Sequence, residues 1–205
     1  MSKKVFESYV GYYALLTALT SFLYAVSFIV ISRSNPVLGG KLSALFLLLT
    51  GFFTAGTMVG IFNKLQELNF GYALWAMILG LIGAVGMMMH GGYDLANAIN
   101  PPMKYLPALA DFPSQVDPRG LMSFGIAGVA LFKISWLMKG GKYFPQGLAN
   151  LGYLSAFLLL VLYLGRLIIL KATSPIIVYP ALLNGFIVGP WWYLWLGKTF
   201  LGEKK

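Results

Sequence analysis

The residues with the clearest chemical potential lie in "MMMHGGYDLANAINPP", residues 87–102. His90 is the only histidine of the chain, and Asp94 follows four residues later. If a helix continues through Gly91 and Gly92, His90 and Asp94 share one face, because residues four apart are neighbours on a helix. A carboxylate in that position can orient an imidazole, which titrates near neutral pH. The pair indicates either proton transfer or the polar edge of a helix that leaves a membrane.

Arg166 is the third candidate, because it interrupts the apolar stretch "LYLGRLIIL". A charged residue inside a membrane helix generally finds a partner or water, so we predict an Asp94–Arg166 ion pair with His90 nearby. The guanidinium group can bind a carboxylate or an anionic headgroup. The structural alternative is that Arg166 extends to the membrane surface while Asp94 caps a helix or pairs.

Two polar residues lie deeper in apolar runs. Asn184 follows Pro180, which frees a backbone carbonyl and bends a helix, and the asparagine can supply the missing partner. A kinked helix that lines a cavity is the functional alternative for Asn184. Lys133, in "LFKISW", is expected to reach water along its alkyl stem.

The residue inventory excludes several classes of protein. One histidine and no cysteine exclude a bis-histidine haem site within the chain, a three-histidine zinc centre and thiolate metal sites. The sequence contains neither a Walker loop nor a G-x-S-x-G elbow. We therefore expect no cofactor, metal site or catalytic residue, with an intramembrane enzyme as the least favoured alternative.

Composition places the chain in lipid. Of its 205 residues, 59% are hydrophobic and 10% charged, whereas a soluble domain has about 25% charged residues. The net charge is +9, but the basic residues stand singly or in pairs between apolar runs. A nucleic-acid-binding protein would cluster them on one face. We expect membrane lipids, and no nucleic acid, as partners of a single domain over residues 1–205.

Apolar runs define the membrane spans. A hydrocarbon core about 30 Å thick needs about 20 helical residues, and six runs meet this length: 9–31, 42–62, 70–89, 120–138, 147–170 and 175–196. Asp117–Pro118 and Ser174–Pro175 predict the starts of the fourth and sixth spans as N-cap and first helical residue. The first run is too long for the apolar core of a signal peptide. The predicted fold is an all-α bundle of six transmembrane helices in a plasma or inner membrane.

Lysine and arginine indicate the orientation. Eight lie on the side of both termini and five on the other side, with Lys133 and Arg166 inside spans. Because the excess of lysine and arginine usually lies in the cytoplasm, we predict cytoplasmic N- and C-termini.

The helix of span three is expected to loosen at Gly91 and Gly92. Residues 91–118 form the longest segment between spans, and we predict that they fold as a structured loop on the outer face.

Small residues in spans two and three predict where helices approach closely. We expect these two spans to pack on each other, or on another copy or subunit, through Gly51, Ala55, Gly56, Gly60, Gly80 and Ala84. In "PWWYLW", Trp191, Trp192 and Trp195 are predicted to anchor the sixth span at the membrane interface.

The preferred functional hypothesis is non-enzymatic: a scaffold, an accessory subunit or a lipid-binding protein. Its partners would be membrane lipids, other membrane subunits or a second copy of the chain. The alternative is a small transporter or channel that works through His90, Asp94 and Arg166, together with the kink at Asn184.

Overall fold

The computed structural model describes residues 3–100, 116–169, 171 and 173–202. Within this part of the chain, six helices are long and apolar enough to cross a membrane. They are α1 (Val5–Ser34), α2 (Pro36–Leu65), α3 (Phe70–Ile99), α4 (Pro118–Met138), α5 (Gln146–Ile168) and α6 (Pro175–Gly202). The predicted all-α bundle of six spans is confirmed, and the chain is a multi-pass membrane protein.

Asparagine caps shorten the first two connections. Only Asn35 separates α1 from α2, whereas the predicted spans left residues 32–41 as the turn between them. The Asn35 side chain accepts a hydrogen bond from the amide of Leu38 at 3.0 Å, and Pro36 occupies the first helical position. Asn69 caps α3 in the same way, accepting from the amide of Tyr72 at 3.0 Å. Each cap satisfies an amide that has no partner inside its helix, so most of the predicted turn is helical.

Helix α3 does not loosen at its glycines, which corrects the prediction. It continues through Gly91 and Gly92 to Ile99. Gly91 is buried against α2, where a Cβ atom would lie 2.5 Å from the amide nitrogen of Leu48. This packing outweighs the weak helix propensity of glycine. Of the predicted loop 91–118, residues 91–99 are therefore helical, and residues 101–115 lie outside the described residues.

The helices form a ring in which each packs against the next and α6 returns to α1, with the α2–α3 interface the most extensive. At the closing contact, a Cβ atom on Gly197 of α6 would lie 2.9 Å from the carbonyl oxygen of Gly11 in α1. The start of α1 and the end of α6 therefore share one end of the bundle, which we call the terminal end. The opposite end is the distal end.

Buried side chains in the two halves of the ring differ only in part. The main apolar cluster lies in the half next to the terminal end, and it includes Val10, Ile61, Leu65, Met138, Leu148, Trp192, Leu196 and Phe200. The middle and distal half buries alanines and small polar groups, among them Ala25, Ala84, Ser27, Ser43, Thr50, Asp117 and Ser123. It also buries larger apolar side chains, which are Leu47, Leu158, Leu162, Ile177 and Val188.

The small residues of α2 divide between two neighbours. A Cβ atom on Gly51 would lie 2.5 Å from the carbonyl oxygen of Ala84 in α3. On α3, a Cβ atom on Gly80 would lie 2.6 Å from Sδ of Met58 in α2. These three small residues are at the α2–α3 interface.

The other small residues of α2 differ from the prediction. Gly56 and Gly60 face Tyr13 and Val10 of α1, not α3. Ala55 is partly exposed. Span two thus presents glycines to both of its neighbours in the ring.

Replacing Gly91 by alanine tests the close contact of α3 with α2. The new methyl group would collide with α2 backbone, so Gly91→Ala should lower the free energy of unfolding by roughly 1–3 kcal/mol. Gly92→Ala is the matched control, because its nearest neighbour is Leu48 Cδ1 at 3.6 Å. It should be neutral or slightly stabilising. Thermal unfolding in detergent measures both, and equal effects would contradict the packing.

Candidate functional site

His90 and Asp94 lie together near the distal end of α3. The His90 Nε2 atom is 3.0 Å from Oδ2 of Asp94, and the two side chains are 12% and 43% exposed. The other ring nitrogen, Nδ1, is buried and has no hydrogen-bond partner among the described residues. His90 is 20 residues beyond Phe70, which is about 30 Å at 1.5 Å per residue. The pair therefore sits near the distal boundary of a hydrocarbon core about 30 Å thick.

Arg166 reaches the same depth, since it is 20 residues beyond Gln146 in α5. Within the described part of the chain it forms no ion pair with Asp94, which corrects the predicted pairing. Its guanidinium carbon lies 5.3 Å from the centroid of the Phe124 ring in α4. The charges that act on it are those of Asp117 and Arg119. The pairing fails because Asp94 contacts His90 on its own helix, while Arg166 lies against α4.

Asp117 is fully buried and caps the start of α4. Its Oδ1 atom accepts from the amide of Met122 at 2.7 Å, and Oδ2 accepts from the amide of Ser123 at 3.0 Å and from the Ser123 hydroxyl. A carboxylate at a helix N-terminus satisfies free amides and the helix dipole. The cap acts later in the sequence than predicted, because residues 118–120 form a tight 3₁₀ turn before the amides that Asp117 binds.

That turn holds Arg119 in an unusual conformation. Arg119 has a φ of 59°, and Gly120 follows with a φ of 79°. A non-glycine residue in this left-handed region is uncommon and strained. Since Arg119 acts electrostatically on Arg166, the turn brings a second guanidinium group into the surroundings of Arg166.

Tyr24 of α1 completes the group, because the charges of both Arg166 and Asp94 act on it. We call these six residues from three helices and the α4 entry turn the distal cluster: Tyr24, His90, Asp94, Asp117, Arg119 and Arg166. Sequence reasoning named His90, Asp94 and Arg166 as functional candidates. It missed Tyr24 and Arg119, because their proximity depends on how the helices are rotated in the ring.

Asn184 lies apart from this cluster and joins two helices. The Ser155 hydroxyl of α5 donates to the Asn184 side-chain oxygen at 2.8 Å. A π-helical turn runs from Asn184 to Val188, after Pro180. The side chain thus bonds to the neighbouring helix, not to a carbonyl freed by the proline. This geometry fits the structural interpretation of Asn184.

A second polar group, near the terminal end, went unnoticed as a site in the sequence. The ammonium nitrogen of Lys133 lies 3.4 Å from the centroid of the Trp75 ring and 4.8 Å from that of Tyr72. The Tyr72 ring is in turn 4.8 Å from the ring of Trp136. We call Tyr72, Trp75, Lys133 and Trp136 the lysine–aromatic cluster. The sequence could have indicated this contact through position along the helices, because Trp75 and Lys133 are each five residues from the terminal end of their helix and so lie at the same depth in the membrane.

The three tryptophans predicted as anchors have different surroundings. Trp191 is 56% exposed, as an interface anchor would be. Trp192 is fully buried, and its indole nitrogen donates to the carbonyl of Leu148 at 3.1 Å. Trp195 is partly buried, and its ring lies over Gly147 of α5. Trp192 is therefore a core residue of the bundle, which corrects its assignment as an anchor.

Two carboxylates at the terminal end connect the ends of neighbouring helices through an ion pair and a hydrogen bond. Lys64 Nζ lies 3.0 Å from Oε1 of Glu7, and the Tyr143 hydroxyl donates to Glu67. A hydrogen bond with Tyr143 raises the pKa of Lys142, and the charge of Glu67 adds to this effect. An open pocket of about 280 Å³ lies here, lined by Phe6, Glu7, Gly60, Asn63, Gln66 and Glu67. Because both carboxylates have partners, we interpret this network as structural.

Comparison of the chain with protein families, with curated proteins and with solved structures finds no match. Across the described residues, no three His, Asp or Glu side chains come together as metal ligands would. The six helices define the class as a multi-pass membrane protein.

Replacing Trp192 and Trp191 separately by phenylalanine tests which of them is a core residue and which is an interface anchor. Trp192→Phe removes the indole donor to Leu148 and leaves a void, so we expect a loss of roughly 1–3 kcal/mol in unfolding free energy. Trp191→Phe is the control and should change stability by less than about 0.5 kcal/mol, as exposed substitutions usually do. Thermal unfolding in one detergent provides the comparison. A larger loss of stability in Trp191→Phe than in Trp192→Phe would contradict the assignment of Trp192 as a core residue.

Proposed function

We propose that the protein is a non-enzymatic lipid-binding membrane protein, and that Lys133 binds the anionic headgroup of a phospholipid. One observation supports this most directly: within the described residues, the Lys133 ammonium lies over Trp75 and forms no ion pair with a carboxylate. Of the scaffold, accessory and lipid-binding roles expected from the sequence, lipid binding is the one to which particular side chains can be assigned.

The position of Lys133 within α4 favours the binding of an anion. It lies five residues before Met138, about 7–8 Å inside the end of α4, so its charge is partly withdrawn from water. Contact with aromatic faces contributes about 0.5–2 kcal/mol, but it provides no counter-charge. An ammonium group has three N–H donors and accepts none. Phosphate oxygens at the membrane interface match this need.

The exposure of the aromatic rings supports access by a lipid. Trp75 is 49% exposed and Trp136 is 51% exposed, so both rings can be reached from outside the bundle. Indole and phenol rings favour the headgroup level of a bilayer. A phospholipid there can lay its glycerol region along the rings while its phosphate contacts Lys133.

The charge distribution favours the same leaflet. With the predicted cytoplasmic termini, the terminal end faces the cytoplasm, where bilayers concentrate anionic lipids. Lys139 and Lys142 are exposed just beyond α4 and add to the positive potential. They would attract anionic lipids in general, whereas Lys133 would hold one headgroup in place.

Lys133→Gln tests the proposal, with Lys139→Gln as its matched control on the same helix end. Purified protein in neutral detergent is titrated with phosphatidylglycerol or phosphatidylcholine, and binding is followed by native mass spectrometry. Wild-type protein should prefer phosphatidylglycerol. Lys133→Gln should weaken its binding about tenfold or more, the effect of one charge-assisted hydrogen bond. Lys139→Gln should have a clearly smaller effect, of about fivefold at most.

Stability of the lipid-free protein gives a second check. Removing a cation that has no counter-charge among the described residues relieves its desolvation cost but also removes the aromatic contact, so the Tm of Lys133→Gln should stay close to that of the wild type. Equal binding of both lipids by the wild type, or equal losses in the two variants, would rule out a headgroup site at Lys133.

A further inference from the structure

We propose that the distal cluster is a second and independent binding site, for a phosphate group, which presents at least two oxygen acceptors. Arg166 would bind it through both arms of the guanidinium fork, and Arg119 would supply a second cation. This site goes beyond the proposed lipid function, because it lies at the opposite end of the bundle from Lys133.

The hydrogen-bond donors of Arg166 have no acceptor among the described residues. A guanidinium group has five N–H donors in a planar fork, yet Arg166 donates no hydrogen bond to any of the described residues, and its contact with Phe124 occupies only a ring face. The side chain is half-buried. A partly desolvated guanidinium without acceptors is costly, so its natural complement is a group that presents two oxygens side by side.

Among the described residues, the charge around Arg166 is positive. Arg166 and Arg119 carry two guanidinium groups, and Asp117 is the one carboxylate in this part of the chain that acts on Arg166. Both Asp117 oxygens already accept hydrogen bonds from the start of α4. Asp94, the other nearby acid, contacts His90. An added anion would therefore find net attraction, and it would not have to displace a protein carboxylate from an ion pair with Arg166.

Backbone and packing favour a site in this place. Arg119 is held at a φ of 59°, a conformation that costs about 1–2 kcal/mol and concentrates at functional positions. The Tyr24 hydroxyl donates to none of the described residues and feels the charge of Arg166. The distal half buries hydroxyl residues such as Ser27 and Ser123, together with larger apolar side chains such as Leu162 and Ile177.

Two sources can supply this chemistry, namely a phospholipid headgroup of the distal leaflet and a free anion from the distal aqueous phase. Protein purified without phosphate in neutral detergent is therefore titrated with inorganic phosphate in one arm and phosphatidic acid in the other, and the Tm is recorded. A rise in Tm with inorganic phosphate identifies the ligand as a soluble anion. A rise in Tm with phosphatidic acid alone, if it is retained in Lys133→Gln, identifies the ligand as a lipid headgroup. Either result supports the site.

Three variants make the test specific. Arg166→Lys keeps the charge but loses the planar fork, and should weaken binding about tenfold. Arg119→Gln should weaken it as well, by a smaller factor. Lys171→Gln, an exposed cation beyond α5, is the matched control and should leave the Tm response unchanged.

The site is overturned if neither probe raises the Tm, or if Arg166→Lys responds as the wild type does. Its failure is distinguishable from failure of the Lys133 proposal. Lys133→Gln should leave the phosphate response intact, and Arg166→Lys should leave the preference for phosphatidylglycerol at the terminal end intact.

Discussion

Close approach of helix backbones at glycine is the constraint on which this bundle depends. Lipid removes the hydrophobic drive between helices, so their association rests on packing and hydrogen bonds. At Gly51, Gly91 and Gly197, a Cβ atom would lie within 2.5–2.9 Å of a neighbouring helix's backbone. These contacts set which helix neighbours which around the ring. Through that order they determine which polar side chains meet at each end.

The two ends of the ring differ in how they hold a cation within the membrane. Near the terminal end, the ammonium group of Lys133 lies over the exposed ring of Trp75. Near the distal end, the half-buried guanidinium group of Arg166 lies against Phe124 of the neighbouring helix α4. The proposed ligand of Lys133 would therefore approach within the membrane, whereas the proposed ligand of Arg166 would enter from the distal boundary.

The sequence predicted what depends on local rules. Run length and composition indicated six spans, because only helices satisfy their own backbone in this solvent. The His90–Asp94 contact was foreseen as an alternative, because it is set by helical spacing alone. The partners of Arg166 and the burial of Trp192 were missed, since neighbouring helices decide them. Gly91 was expected to loosen the helix because glycine is a weak helix former, and its packing against α2 is visible only in three dimensions.

Charge balance links the two ends of the molecule. The chain has 15 lysines and arginines against six aspartates and glutamates. Four of these acids lie among the described residues, and each has its own partner: Glu7 with Lys64, Glu67 with Tyr143, Asp94 with His90, and Asp117 with the start of α4. Lys133 and Arg166, the two cations within spans, therefore form no ion pair with these acids. Because an uncompensated charge in a membrane is expensive, we propose that anions of the bilayer or the solution neutralise these two cations, and this need is the physical argument for the proposed binding sites.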